Sequence, residues 1–270
     1  VSNALNELIT LCTSFNARFR NDDGLESEDY MSKTSPQEIL RDVQRFSAEI
    51  LRLTPHAEVF QKLPRDVVFS CIHNLVNVIR AGSETLIFAS STDKCESSVR
   101  IMSSLEAVVL VERLVARVSN AIVVPEESLG LCIDVTRFHL QKNILPFYDA
   151  RIMAAVRPHI HEDTGETSQP RKENAGAGRR GLKAKAPKPV DMVKDRVLAS
   201  MDLLGDITPS VKIQASVSYP LIRAALQCMT VHAVPELKPK AVSLISSLYT
   251  SYPDLRENIL DDTFGTLIPY

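Results

Sequence analysis

Seven cations crowd a short stretch past the middle of the chain: Arg171, Lys172, Arg179, Arg180, Lys183, Lys185 and Lys188, against one acid, Glu173. The local charge is +6, which leaves about −8 on the rest of a chain whose total is −2. A cationic tract of this kind neutralises the phosphates of double-stranded DNA and releases their counterions. The same composition also reads as a nuclear import signal, or as a solvated loop with no role of its own. The residues alone leave all three readings open. No aromatic residue interrupts the tract, so stacking on bases is not expected.

Other residue groups invite chemistry and lack its context. Gly176, Gly178 and Gly181 have the spacing of a dinucleotide-binding turn, which needs a strand before it and an amphipathic helix after it. Neither pattern is present, so no cofactor is expected. His159 and His161 are two apart with no cysteine near, which gives zinc too few ligands. Asp22, Asp23, Glu26, Glu28 and Asp29 crowd a glycine-bearing loop, whereas an acid/base pair needs carboxylates held in a pocket. No Gly-x-Ser-x-Gly elbow and no His-Glu-x-x-His helix occurs. The chain therefore reads as a non-enzyme, with no catalytic, cofactor or metal residue to name.

The elements that would position these residues are helical. Nine glycines are few for 270 residues, period-two strands are lacking, and 44% hydrophobic residues suffice for a core. A first helix is expected to end near Arg20, before the turn chemistry of Asn21 to Gly24. Ser35, Pro36 and Glu38 form a capping box with proline at the first helical position, and Ser35-Pro36 is also a minimal proline-directed phosphorylation site. Val67, Val68, Cys71, Ile72, Leu75, Val76 and Ile79 share one stripe of a helix from Pro64 to Ala81, with Gly82 as its C-terminal stop. A short helix is expected around Glu84 to Ser90. Val108 to Val111 are consecutive apolar residues, so the helix from Val99 to Val118 is expected to be sandwiched. Pro125 opens a helix to about Leu145, ended or kinked by Pro146. From His159 to Pro189 apolar periodicity vanishes, and the stretch is expected to be disordered.

Met192, Val193, Val197, Leu198, Met201 and Leu204 restart the helical period, and Gly205 to Pro209 is expected to break it. Helices follow over Ile213 to Val231 with Pro220 as a kink, Lys240 to Tyr252, and Leu255 to Leu267. Helices tiled this way, each burying its apolar face on its chain neighbours, predict an all-α solenoid of HEAT-like helical hairpins with a disordered basic insertion. The expected divisions are 1–158 helical, 159–190 insertion, and 191–270 further repeats. The chain opens without methionine inside an amphipathic pattern, and is expected to be a piece of a longer protein. Five scattered cysteines and no glycosylation sequon point to a reducing compartment. No stretch is apolar for eighteen residues, so no membrane partner is expected. His73 lies off its helix's stripe and reads as surface, while His139 and His232 read as packing residues.

Two segments carry a family likeness. The first is Val135-Thr136-Arg137-Phe138-His139-Leu140-Gln141-Lys142-Asn143-Ile144-Leu145-Pro146-Phe147-Tyr148-Asp149, followed by the basic insertion. The second is Tyr252-Pro253-Asp254-Leu255-Arg256-Glu257-Asn258-Ile259-Leu260-Asp261-Asp262-Thr263-Phe264, then Leu267-Ile268-Pro269. In that order they resemble the start of the HEAT-repeat region of the Nipped-B-like cohesin loaders. The likeness is strongest over 131–149 and 191–270, and diffuse over 1–120. It implies a nuclear, chromatin-bound, non-enzymatic scaffold for sister chromatid cohesion, which promotes loading of cohesin onto DNA and stimulates its ATPase. Its implied partners are the SMC and kleisin subunits of cohesin, a tetratricopeptide-repeat loader subunit, and double-stranded DNA. The matching residues are packing patterns, so no partner-binding residue carries over. The alternative is another helical-repeat binder: a nuclear transport receptor, or a regulator of a different chromosome-organising complex.

Overall fold

The computed structural model describes residues 2–19, 33–53, 55, 57–87, 94–118, 124–149, 189–211, 213–231 and 234–267. Among these residues every regular element is helical. In chain order they are α1 (Ser2–Arg18), α2 (Pro36–Leu53), the short α3 (Ala57–Phe60), α4 (Arg65–Gly82), α5 (Lys94–Val118) and α6 (Glu126–His139). A π-helical turn (Leu140–Ile144) leads into the short α7 (Leu145–Tyr148). Then follow α8 (Pro189–Ile207), α9 (Ala215–Thr230), α10 (Leu237–Ser251), a 3₁₀ turn (Pro253–Leu255) and α11 (Arg256–Leu267).

Local chemistry explains the ends. At the start of α2 the Ser35 amide and hydroxyl both donate to Glu38 Oε2, at 3.2 and 2.9 Å. The Glu38 amide donates back to Ser35 Oγ at 3.3 Å, which closes the capping box. At the end of α10, Arg256 donates to the carbonyls of Tyr249 (2.9 Å) and Thr250 (3.2 Å), satisfying acceptors that the helix leaves open.

The helices stand in two rows. One row is α2, α5, α8, α10, and the other is α1, α4, α6, α9, α11, each helix packing on the next in its row. Within the first row the contacts advance together along both chains. Pro36 meets Ser103 and Ser47 meets Arg113; Glu106 meets Arg196 and Glu112 meets Ser200. Asp202 meets Lys240 and Gly205 meets Ser247. These helices are therefore parallel. Across the rows α4 and α5 are antiparallel, since Ile79 meets Ser104 and Gly82 meets Arg100. Parallel rows of antiparallel hairpins form a packing consistent with an α-solenoid. Burial against chain neighbours alone is not what is seen. α5 lies on α2, α4, α6 and α8, and residues 101–112 are all buried, which is the expected sandwich.

Several expectations change. Gly82 ends α4 as expected, but its role there is steric: it lies at the closest approach of two helices. A Cβ there would fall on the Arg100 carbonyl oxygen and 2.8 Å from Ser104 Cβ. Residues 84–87 do not form a helix, because Asn143 claims the Ile87 amide and the Thr85 carbonyl. Met192 is exposed at 41%, and Val190, two residues earlier, is buried instead. Gly205 continues α8 instead of breaking it; its carbonyl accepts from Ser247 at 2.6 Å and the helix runs to Ile207. α8 begins at Pro189, so Pro189 and Val190 belong to the helix and not to the insertion. Pro220 lies inside α9 as expected.

The Gly82 contact generates a test. Alanine raises helix propensity by about 1 kcal/mol, but overpacking against backbone costs about 1–3 kcal/mol or more. Gly82→Ala should therefore lower the unfolding free energy, by about 2 kcal/mol in urea titration, although it substitutes a better helix former.

Candidate functional site

The basic tract (Arg171, Lys172, Arg179, Arg180, Lys183, Lys185, Lys188), His159, His161, His232 and the acids at 22–29 lie outside the described residues. Their flanks are described. Tyr148 donates from its hydroxyl to Asp191 Oδ1 at 2.6 Å, joining the end of α7 to the first turn of α8. The two ends of the 150–188 stretch are thus tied together within one hairpin of the stack. Burial and the Asp191 hydrogen bond both raise the Tyr148 pKa, so this donor stays protonated.

A polar seam runs through the otherwise apolar centre, from α2 across α5 to α6 and α8. Glu112 is fully buried, and Ser200 Oγ donates to its Oε1 at 2.7 Å. Thr136 Oγ1 stands 2.7 Å from Ser200 Oγ and, with the Ser200 proton committed, acts as donor. Desolvation pushes the Glu112 carboxyl well above the usual carboxylate range, partly opposed by Ser200 and Arg113. Glu106, 4% exposed, pairs with Arg196 Nε at 2.7 Å. Arg113 Nη1 donates to Ser47 Oγ at 3.1 Å. Burial lowers the Arg113 pKa while Glu106 holds it up. Sequence reasoning passed over both glutamates. Their signal was two acids within a helix apolar on nearly every side, where a carboxylate must find partners or lose its charge.

A second polar device sits where Pro146 disturbs the helix. Proline has no amide to donate, and the backbone shifts register: the Leu145 N–H reaches the Leu140 carbonyl, a π-helical bond. This turn presents Asn143, which is fully buried and fully used. Its Oδ1 accepts from the Ile87 amide at 2.9 Å. Its Nδ2 donates to the Thr85 carbonyl at 3.0 Å and stands 2.7 Å from His139 Nδ1. Nδ1 must then accept, so the neutral ring carries its proton on Nε2, a buried atom without a hydrogen-bond partner among the described residues. Desolvation lowers the His139 pKa to about 4, with the Gly82 carbonyl opposing. His139 is the packing residue expected, and His73 is exposed as expected.

The second segment of the likeness also serves packing. The Tyr252 hydroxyl accepts from the Ile213 amide at 3.0 Å and donates to the Val211 carbonyl at 2.9 Å, pinning the α8–α9 connection. Leu255 and Ile259 are buried, and Leu260 and Phe264 are exposed. Four described cysteines, Cys12, Cys71, Cys132 and Cys228, are free and buried. Among the described residues no set of three His, Cys, Asp or Glu side chains is arranged to hold a metal. No described helix is long and apolar enough to cross a membrane.

No family model, curated protein or solved structure matches this chain.

The buried groups make stability depend on pH from both sides. His139 has a depressed folded pKa, so its unfolded state gains protons first and stability falls as pH drops below about 6.5. With a folded value of about 4, going from pH 7 to pH 5 should cost about 2 kcal/mol. His139→Gln should lose that part of the pH dependence in parallel urea titrations. Glu112 has a raised folded pKa, so its contribution is complete below about pH 4.3 and is lost as pH rises toward the folded value. Glu112→Gln should leave stability flatter above pH 5 and unchanged or higher at pH 7.

Proposed function

We propose that this chain is a non-enzymatic scaffold, a HEAT-like α-solenoid segment of a Nipped-B-like cohesin loader. In this reading it works in the nucleus and on chromatin, where it brings cohesin and duplex DNA together. The observation that carries the reading is the ordered likeness of 131–149 and 191–270, joined by a basic insertion. What the described residues do in these segments supports it. His139, Asn143, Tyr148, Tyr252 and Arg256 close joints between stacked helices. That is the behaviour of residues which preserve a repeat's geometry. Parallel rows of helices present long continuous faces, which suit holding a partner.

The basic tract supplies the DNA part of the proposal. The Tyr148–Asp191 hydrogen bond joins the two described flanks of the stretch that carries its seven cations. The SMC and kleisin subunits and the tetratricopeptide-repeat subunit would engage the faces of the stack, and stimulation of the ATPase would follow from that assembly.

Affinity purification of the intact parent protein, followed by mass spectrometry, should recover cohesin subunits and a tetratricopeptide-repeat protein. Recovery of import cargo or of another chromosome-organising complex would replace this assignment. Neutralising the seven tract cations should reduce the slope of log K against log salt for duplex DNA by up to ~6, at ~0.9 per phosphate contact. An unchanged slope would remove the tract from the DNA interface.

A further inference from the structure

The outer face of the α2–α5–α8 row concentrates guanidinium groups around one buried carboxylate. Glu106 and Arg113 are two turns apart on α5, and Arg117 follows Arg113 by one turn, so all three share a face. Arg196 reaches Glu106 from α8, while Arg113 is held by Ser47 of α2. Arg117 is exposed and makes no ion pair among the described residues. Three arginines thus stand near Glu106, with Glu112, whose carboxyl burial pushes toward the neutral form, as the other acid acting on Arg113. Two acids nearby in sequence, Asp195 and Glu49, pair instead with Lys194 and Arg52. Arg113 and Arg117, like charges one turn apart, repel each other unless an anion lies between them.

Two exposed apolar side chains bracket this cluster. Leu51, 47% exposed, follows Ser47 by one turn. Because α2 and α5 are parallel, with Ser47 beside Arg113, Leu51 comes level with Arg117. Met192, 41% exposed, precedes Arg196 by one turn of α8. Since α8 also runs parallel to α5, Met192 lies about fifteen residues of rise (~22 Å) along the axis from Leu51 and two helix spacings across it, ~28 Å in all. The strip therefore reads apolar, cationic, apolar.

We propose that this strip, Met192–Arg196–Arg113–Arg117–Leu51, is a docking site for an acidic amphipathic segment of a partner protein, its carboxylates lying between two apolar anchors. Arg196 and Arg113 are pre-positioned by Glu106 and Ser47, so less side-chain entropy is lost when a carboxylate arrives. Arginine beside exposed aliphatic side chains is the composition of protein interfaces. A DNA backbone would match the arginines but offer nothing to Leu51 and Met192, so the apolar ends favour a peptide. The site depends neither on the basic tract nor on cohesin being the partner.

The test uses the full chain and a fluorescein-labelled helical peptide of about twenty residues, with leucine near each end and glutamates between. Fluorescence anisotropy should show binding, and the same peptide with lysine for glutamate should not bind. Arg117→Glu should weaken binding roughly tenfold or more without moving the melting temperature, because the side chain holds no partner. Leu51→Ser and Met192→Ser should each weaken it several-fold. Lys62→Glu, the same charge change on an exposed turn before α4, should have no effect. No binding of the glutamate peptide, or an equal loss with Lys62→Glu, would overturn the proposal. So would competition by duplex DNA that depends on Arg117 while Leu51→Ser and Met192→Ser leave it unchanged, which would assign the strip to nucleic acid.

Discussion

α5 must be buried on nearly its whole circumference, and the rest of the stack follows from that requirement. Residues 101–112 expose almost nothing to solvent. At roughly 25 cal/mol per Å² of apolar surface, leaving any one side of such a helix wet forfeits several kcal/mol. One hairpin partner cannot cover it. α4 takes one side, α2 and α8 flank it in the same row, and α6 closes the remainder. The same coverage continues on either side, in a packing consistent with an α-solenoid. Close coverage also has a steric demand, met by Gly82, where the backbones of α4 and α5 approach too closely for a Cβ.

Enclosing a helix so completely forces a decision on every polar group it carries. Glu106 is met by Arg196, which reaches it from a partly exposed position. Glu112 lies deeper, with a serine as its donor and its nearest cation turned toward Ser47, so burial drives it toward the neutral form. His139 takes the corresponding course from the basic side. Such groups add little net stability, but they penalise any slip of α8 against α5 that would separate the partners. Asn143 does the same for the α4–α5 connection. The outward half of this seam leaves arginines at the surface, so the feature that fixes register inside also shapes the face available to a partner.

The proposed likeness to cohesin loaders rests on residues whose work is mechanical. Tyr148 and Asp191 close the neck of the basic insertion, and Tyr252 and Arg256 fix successive helices at a set angle.

Much of the helical content was legible in the residues. The Ser35–Glu38 box, the period of 67–79, the all-round apolar run at 108–111 and the break at Pro146 are local or periodic signals, set by backbone sterics and by which side chains water excludes. What the sequence by itself determined is therefore where helices form and that they must stack. Which helix lies on which was decided by tertiary structure. So were the use of Gly82 for close approach, the loss of a helix at 84–87 to Asn143, the exposure of Met192 and the pairing of Arg196 with Glu106. Each depends on atoms brought together from distant positions. Periodicity along one chain says that a face is apolar, or that a charge is out of place, but only the facing helix supplies the partner and so fixes the free energy.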